Sequence, residues 1–241
     1  MKRREIIESI KKIILKHCQP TRIYIFGSSV ETGNDAPEDI DIAYDCPGDK
    51  SNFLIKEDVS QLATLLKIDV VNIAYTEERF KNRILDTGKV IWSSTKLLRF
   101  EDALLNFTNA FKRYSHIVER EQYYKEDGYG DVFLDVAVKR FEFTFEMSWK
   151  ACKRALDYLG YSCKSPRECL KEAFNHKIIT EERMWLEMLE QRNLSAHIYD
   201  EISIDEIKND LRNYLESFKQ LVENLSLLLK QELSQASSKD N

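Results

Sequence analysis

The distribution of glycine and proline divides this chain of 241 residues into two parts. Residues 97–231 contain three glycines and one proline, and their apolar side chains recur with the period of a helix. Because glycine and proline are the strongest interrupters of helices, we predict that this second part is helical throughout. Gly160 is placed to end one helix, and Ser165-Pro166 is placed to begin the next. The predicted helices cover 98–124, 131–159, 166–175, 181–197 and 204–231.

The first part of the chain alternates between helical and strand-like segments. Isoleucines form one stripe of a predicted helix over 2–17, and several short runs have the composition or the alternation of strands. The predicted strands are 22–26, 38–44, 68–73 and 89–92, and the further helices are 57–67 and 77–88. We therefore predict an α+β domain over 1–95, a helical domain over 98–231 and a disordered polar tail over 232–241.

Charge and cysteine usage exclude several classes of protein. The formal net charge is −5 and neither part is strongly basic, which argues against an extended nucleic-acid-binding surface. The five cysteines show no CxxC spacing, so we expect free thiols in a reducing cytoplasm and no structural zinc. No apolar run approaches the roughly 20 residues of a membrane span, and the charged segment 1–18 is unlike a signal peptide. We expect a cytoplasmic protein with no membrane contact.

Two aspartates alternate along the second predicted strand. Asp39 and Asp41 are two residues apart, so their side chains point to the same face of a strand. Two carboxylates on one half-buried face repel each other unless a cation lies between them, and Mg²⁺ suits such a position because it binds carboxylates together with substrate phosphates. Asp69 opens the next apolar run, which belongs to the predicted strand 68–73, and it would join the pair if the two strands are neighbours.

A Gly-Ser turn follows the first predicted strand. Gly27 permits a close approach of backbone to a phosphate, and Ser28 supplies a hydroxyl at the start of a predicted short helix, where free N–H groups bind anions. An ordinary turn with solvated acids is the simpler interpretation of each element alone. The joint pattern instead predicts a triphosphate cradle facing a metal-binding acid cluster, as nucleotidyl transfer requires.

The run Gly27-Ser28, ten residues and Asp39-x-Asp41 resembles the signature of the minimal nucleotidyltransferases of the DNA polymerase β superfamily, over residues 1 to about 95. The resemblance implies a mixed sheet with helices on one side. It also implies that Asp39, Asp41 and Asp69 are catalytic ligands of Mg²⁺, with two ions in the catalytic complex, and that Gly27 and Ser28 bind the nucleotide, with ATP as the substrate.

A second group of polar residues lies near the end of the fourth predicted helix. Arg192 and His197 are five residues apart, and Asn193 is four residues before His197. Arginine can hold a phosphate and histidine can move a proton near neutral pH, so the group could cleave RNA without a metal. Structural or surface roles explain the same spacing. Glu142 and Glu146 could neutralise the arginine or orient the histidine, or could form a solvated face.

The run Arg192-x4-His197-x-Tyr199 resembles the motif of HEPN domains. The flanking segments "KRFEFTFEMSWK", "SPRECLKEAF" and "MWLEMLEQRN" are similar to the subgroup described as nucleotidyltransferase substrate-binding proteins, over roughly 100–225. This resemblance implies an all-α antiparallel helical bundle that forms a homodimer. It also implies a metal-independent ribonuclease site made by Arg192, Asn193 and His197, with RNA as its substrate.

Both resemblances together imply a self-neutralising toxin–antitoxin fusion. In such pairs the nucleotidyltransferase transfers AMP from ATP to the tyrosine of the HEPN motif, which is Tyr199 in this chain. One alternative is a nucleotidyltransferase that modifies another small molecule or protein, with the helical domain serving only to bind substrate and to dimerise. A second alternative is a nucleotide-sensing or interaction protein without catalytic activity.

Overall fold

The computed structural model describes residues 3–30, 39–195 and 201–239. The chain divides into two compact units, Met1–Arg99 and Phe100–Asn241. The elements of the first are α1 (Arg3–His17), β1 (Arg22–Ile25), a 3-10 turn (Gly27–Val30), β2 (Asp39–Asp45), α2 (Asn52–Ser60), β3 (Lys67–Asn72), a 3-10 turn (Ile73–Tyr75), α3 (Glu78–Thr87) and β4 (Lys89–Ser93). They are followed by α4 (Lys96–Val118), α5 (Glu121–Glu126), α6 (Gly130–Tyr158), α7 (Pro166–Asn175), α8 (Glu182–Ser195) and α9 (Glu201–Lys239).

The strands of the first unit form one mixed sheet with the order β3-β2-β1-β4. β1 pairs with β2 and with β4 in antiparallel fashion, whereas β2 and β3 run parallel. The predicted α+β domain with a mixed sheet is therefore confirmed. In the described sheet, β3 is an edge strand whose only strand neighbour is β2.

Helices cover both faces of this sheet, so the expectation of helices on one side is wrong. Ile23, Ile40 and Ile42 share a core with buried isoleucines of α1 and α2. Tyr24 and Ala43, which alternate with them along the strands, share a separate core with α3. The physical reason is that β1 and the middle of β2 are apolar at consecutive positions, and both faces must then be buried.

Helix α2 differs from its prediction over 57–67, because the structure places it at Asn52–Ser60. Ile55 and Val59 are buried on this helix, and their spacing of four residues puts them on one side. Leu65, which the prediction included, is fully exposed. Burial of Ile55 and Val59 therefore fixes the position of the helix along the chain. The leucines that follow Ser60 lie in the turn before β3.

The second unit is helical, as predicted. Thr144 on α6 donates a hydrogen bond to the carbonyl oxygen of Ala110 on α4, and the rings of Phe100 and Tyr158 stack at the other end of the same two helices. These contacts show that α4 and α6 run antiparallel. The buried ring of Phe218 on α9 lies at the centre of an aromatic core, in contact with Phe107, Tyr114, Phe141 and Trp185.

Two predictions about the helical unit need correction. α9 continues to Lys239, so residues 232–239 are helical and not a disordered tail, because no glycine or proline interrupts them. Cys163 and Cys169 form a disulfide, with their Cα atoms 5.1 Å apart. The expectation of free thiols is wrong for this pair, because the connection between α6 and α7 turns back and brings the two residues together.

No helix in the described part of the chain has both the length and the apolar character needed to traverse a membrane. The cytoplasmic location stays a prediction.

Candidate functional site

Three carboxylates lie on one face of the mixed sheet. Asp39 and Asp41 are two residues apart on β2, and the parallel register of β2 and β3 sets Asp41 directly opposite Asp69. Neighbouring residues in register point to the same side of a sheet. Strand order therefore brings together three acids that are not all close in sequence.

The acids of this face repel one another. Burial raises the pKa of Asp41, and the charges of Asp39 and Asp69 raise it further. A hydrogen bond from Ser29 and the charge of Lys67 oppose this shift without cancelling it. An incoming cation would relieve the repulsion.

The turn after β1 is packed against the acid-bearing strand. Gly27 has a φ of +62°, and a Cβ atom there would lie 2.7 Å from the Asp41 Oδ2 atom. This position therefore requires glycine for two independent reasons. The Ser28 hydroxyl donates to Asp39 Oδ1 at 3.1 Å, so the predicted nucleotide-binding serine faces the predicted metal ligands.

Ser29 was not predicted from the sequence as a site residue, yet it fixes the turn to the strand. It is 2 % exposed, and its hydroxyl accepts a hydrogen bond from the Asp41 N–H at 2.9 Å. The same hydroxyl donates to the Asp39 carbonyl oxygen at 3.2 Å. A buried hydroxyl with partners on two residues of β2 holds the Gly27–Val30 turn in place.

Lys67 adds a positive charge to the acidic face and was also missed. It lies opposite Asp39 in the register of β2 and β3, and its Nζ atom is 3.4 Å from Asp69 Oδ2. Both side chains are well exposed, so the ion pair contributes little to stability. The sequence prediction ended a helix at Lys67 and began the strand one residue later, whereas the structure begins β3 at Lys67, so no local signal placed this lysine beside Asp39.

The donor set fits a cation that is shared with a substrate. Among the described residues, no three histidine, cysteine, aspartate or glutamate side chains are grouped closely enough to hold a metal ion by themselves. Mg²⁺ does not need such a cage, because it is usually bound by one or two carboxylates and completed by water and substrate phosphates. Asp39 and Asp41 supply those carboxylates, with Asp69 beside them.

A cavity of about 300 Å³ lies at the free edge of β3. Its apolar lining residues are Val59, Leu62, Leu66, Ile68 and Val70, and its polar ones are Lys56, Ser60, Thr64 and Asp69. Asp69 is one of its lining residues, but alternation along β3 directs the Asp69 side chain to the acidic face, opposite the side of Ile68 and Val70. Nothing in the sequence predicted the cavity, because it is formed by α2 and the turn after it, where the predicted helix was misplaced.

In the helical unit, Arg192 on α8 forms an ion pair with Glu146 on α6, with 3.2 Å between Arg192 Nη2 and Glu146 Oε2. Its Nη1 atom donates to Asn193 Oδ1 at 3.2 Å. Of the roles considered for Glu146, neutralising the arginine is the one observed. His197 and Tyr199 lie outside the described residues, so their predicted grouping with Arg192 stays a prediction.

Glu146 is held by several donors. It accepts hydrogen bonds from the Trp149 indole N–H at 3.1 Å and from Lys150 at 2.9 Å. Burial alone would raise the pKa of Glu146, but the hydrogen bonds of Lys150 and Trp149, together with the charges of Lys150 and Arg192, lower it overall. The carboxylate is thus ionised and fully engaged, and it fixes the guanidinium of Arg192.

Comparison with known proteins gives both parts of the chain a family. Residues 97–227 match the family described as nucleotidyltransferase substrate binding protein like. Residues 8–97 match the polymerase β nucleotidyltransferase family. Among curated proteins, none matches the chain.

Several solved structures resemble one part of the chain each. A Thermus thermophilus protein is 32% identical, over 39% of this chain and 82% of its own, with a TM-score of 0.38. A Haemophilus influenzae protein, described as having the fold of a substrate binding domain of a nucleotidyltransferase, is 22% identical over 51% and 98% of the two chains, with a TM-score of 0.47. A tri-AMPylated Shewanella oneidensis HEPN toxin in complex with an MNT antitoxin is 16% identical. The match covers 53% of this chain and 96% of that one, with a TM-score of 0.44.

The first family match extends over more than half of the chain. The second coincides with the unit whose sheet carries the three aspartates. The protein therefore belongs to the nucleotidyltransferase substrate-binding-like family and carries a polymerase-β-type nucleotidyltransferase domain ahead of the domain that defines that family.

Proposed function

We propose that this protein is a Mg²⁺-dependent enzyme that transfers AMP from ATP to Tyr199, and that its helical domain is a dimeric HEPN ribonuclease silenced by that modification. The observation that supports the transfer most directly is the register of Asp41 with Asp69 beside the Gly27-Ser28 turn. The Arg192-x4-His197-x-Tyr199 motif supports the choice of acceptor.

The residues of the acidic face have distinct roles in the proposed transfer. Asp39 and Asp41 would hold Mg²⁺, which neutralises the triphosphate when bound. Gly27 leaves room for the Asp41 carboxylate against the turn, and Ser28 would supply a hydroxyl donor to a phosphate of the nucleotide. The phenolic oxygen of the acceptor attacks the α-phosphorus, the bond to the bridging oxygen breaks and pyrophosphate leaves. Asp69 takes the phenolic proton.

The helical domain would use a metal-independent reaction. Arg192, held in place by Glu146, binds the scissile RNA phosphate, and Asn193 contributes a polar contact. His197 moves the proton as the 2′-hydroxyl attacks. An AMP group on Tyr199 adds a negative charge and a large base within the same motif, which would compete with RNA for the arginine.

Intact-mass analysis with peptide mapping tests the transfer. The purified chain, incubated with ATP and Mg²⁺, is expected to gain one or more adenylyl groups, and mapping is expected to locate the first on Tyr199. The Tyr199→Phe variant should lose that product. A wild-type chain that gains no mass from freshly supplied ATP, after prior modification has been excluded by its starting mass, contradicts the proposal.

The toxin role is tested by growth. Expression of the Asp39→Asn/Asp41→Asn chain is expected to inhibit growth, because the ribonuclease would stay unmodified, and a further His197→Ala substitution should restore growth. A harmless Asp39→Asn/Asp41→Asn chain that is expressed and folded argues against the ribonuclease.

The family description favours a second candidate function. A substrate-binding-like domain fits a nucleotidyltransferase that modifies another molecule, with the helical domain serving as its binding module. Consumption of ATP that depends on an added acceptor, with Tyr199 unmodified, would support this function instead.

A further inference from the structure

We propose that a cavity between α7 and α8 binds a free amino acid with a large apolar side chain, such as leucine or phenylalanine. The cavity lies within the helical unit, and the inference does not depend on nucleotidyl transfer or on ribonuclease activity. It assigns a ligand to a group of charged residues that neither proposed reaction uses.

The floor of the cavity suits one apolar side chain. The cavity has a volume of about 190 Å³, and its apolar lining comes from Leu170, Ile179, Trp185 and Leu186. The first three of these are at most 3 % exposed, so the floor is a part of the hydrophobic core. A cavity of about 150 Å³ with such a lining can bind benzene, whereas pockets for drug-sized molecules measure about 300–1,000 Å³. The space therefore holds a single ring or one branched chain.

Three charged side chains complete the lining. Arg167 and Lys171 are exposed on successive turns of α7, and Glu182 is exposed at the first residue of α8. Residues four apart share one face of a helix, so both cations lie on the α7 wall. The acid lies on the α8 wall.

The charges at this rim are not neutralised within the fold. In the described part of the chain, none of the three side chains forms an ion pair or a hydrogen bond. Other acids of α7 have partners of their own, since Glu168 accepts a hydrogen bond from the Lys164 N–H at 2.8 Å and Glu172 Oε2 is 3.8 Å from His176 Nε2. The rim therefore offers two positive charges and one negative charge to a ligand.

This arrangement of charges matches the two ends of an amino acid. Arginine and lysine bind a carboxylate through charge-assisted hydrogen bonds, and Glu182 can accept hydrogen bonds from an ammonium group. An apolar carboxylate would use only the α7 wall, and an apolar amine would use only the α8 wall. A zwitterion uses both walls while its side chain fills the apolar floor.

The charged rim favours a small ligand over a protein partner. Three of the seven lining residues are charged, whereas the buried centre of a protein–protein interface is depleted of charged residues. Small-molecule sites instead combine apolar walls with a few polar groups that fix the orientation of the ligand. The α7–α8 cavity has the second composition.

Isothermal titration calorimetry on the full chain, without ATP, tests the site. L-Phenylalanine and L-leucine are expected to bind with dissociation constants on the order of 10–100 μM. L-Alanine cannot fill the floor and should bind at least about tenfold more weakly. The same loss is expected for 3-phenylpropionate, which lacks the ammonium group, and for 2-phenylethylamine, which lacks the carboxylate.

Substitutions at the rim should each affect one end of the ligand. Arg167→Gln/Lys171→Gln is expected to weaken L-phenylalanine by about tenfold without weakening 2-phenylethylamine. Glu182→Gln should weaken both of these ligands and leave 3-phenylpropionate at least as tightly bound as before. Glu181→Gln is the matched control, because it removes an exposed neighbouring acid that does not line the cavity, and it should change no affinity.

These substitutions lie at exposed positions, and thermal unfolding of each variant verifies that it is folded. The site is wrong if neither L-phenylalanine nor L-leucine binds to wild-type protein at about 10 mM, or if the rim variants bind L-phenylalanine as wild type does. Equal binding of N-acetyl-L-phenylalanine and L-phenylalanine also contradicts it, because the ligand would then be the end of a peptide. Each of these results leaves the proposed transfer of AMP untouched, since no step of the experiment uses ATP.

Discussion

The two polar centres of this protein handle charge in opposite ways. On the sheet of the first unit, Asp39, Asp41 and Asp69 gather like charges, and the pKa of Asp41 is raised by burial and by its two neighbours. In the helical unit, Glu146 is surrounded by donors, and its pKa is lowered despite burial. The first centre therefore concentrates negative charge that its own residues do not balance, whereas the second is already neutralised within the fold.

The two centres are therefore suited to different tasks: the first to binding a cation, and the second to orienting the guanidinium of Arg192. Repulsion among the carboxylates costs free energy, and under the proposed function a bound cation would relieve that cost. A neutralised pair gains nothing from a cation, but it fixes the direction of a guanidinium and reduces the entropy lost when a phosphate binds. Substitutions should therefore affect ligand binding most in the first centre and local stability most in the second.

The largest effect on activity is expected when the Asp41 carboxylate of the first centre is removed. Asp41→Asn should lower the rate of ATP-dependent mass gain by at least about 10²-fold, a loss typical of removing one essential electrostatic contact. Stability should not fall, because the substitution removes repulsion. Quenched time courses by intact-mass analysis, with thermal unfolding alongside, measure both quantities. Asp86→Asn, an exposed acid on α3, is the control and should behave as wild type.

The next largest effect is expected at Gly27, where the turn meets Asp41. Gly27→Ala places a methyl group 2.7 Å from the Asp41 carboxylate and forces a φ of +62° on alanine, which costs about 1–2 kcal/mol of stability. We also expect transfer to slow by more than about tenfold, because the carboxylate must move, as an ångström-scale misplacement of catalytic groups costs about 10²-fold. Thermal unfolding and the transfer rate are the measurements.

Gly48 is a matched control for that substitution. It also has a positive φ, of +80°, but a Cβ atom there would meet nothing within 4 Å. Gly48→Ala should therefore share the backbone cost without the loss of transfer. Equal transfer rates for the two variants would mean that the contact with Asp41 has no role in the reaction.

Local spacing was sufficient to predict much of the first centre. Period-two alternation put Asp39 and Asp41 on one face of a strand, and the glycine-serine pair marked the turn before it. The position of Asp69 opposite Asp41 depends on strand order, which no local pattern contains. Lys67 was missed for the same reason, because its charge matters only once β3 lies beside β2.

The helical unit was predictable in outline and not in detail. The scarcity of glycine and proline was enough to predict helices, and the caps at Gly160 and Ser165 were predicted correctly because their conformational and side-chain requirements are local. The disulfide between Cys163 and Cys169 depends on a reversal of the chain. The contact of Arg192 with Glu146 depends on the packing of α8 against α6. Such contacts follow from tertiary structure, which sequence spacing alone does not specify.

A smaller effect is expected when the neutralised pair is broken. Glu146→Gln removes the charge that holds Arg192 and should destabilise the helical unit by about 0.5–1 kcal/mol, the range for partly exposed ion pairs and their hydrogen bonds. Urea unfolding measured by a probe specific to the helical unit gives this value. Glu142→Gln, one turn earlier on α6 and paired with Lys139, is the control. A loss that is equal in both variants would mean that the contact with Arg192 adds nothing.

The smallest effect, and the most specific to the second centre, is its dependence on pH. Because the folded pKa of Glu146 lies below the ordinary value of 4.5, the carboxylate contributes stability that is fully present above the unfolded pKa and is lost as pH falls through the folded pKa. The difference in stability between wild type and Glu146→Gln should therefore be constant near neutral pH and shrink only below about pH 4.5. A difference that instead grows as pH falls from about 7 to about 5.5 would place the folded pKa of Glu146 above its ordinary value, and the helical centre would then resemble the acidic face rather than oppose it.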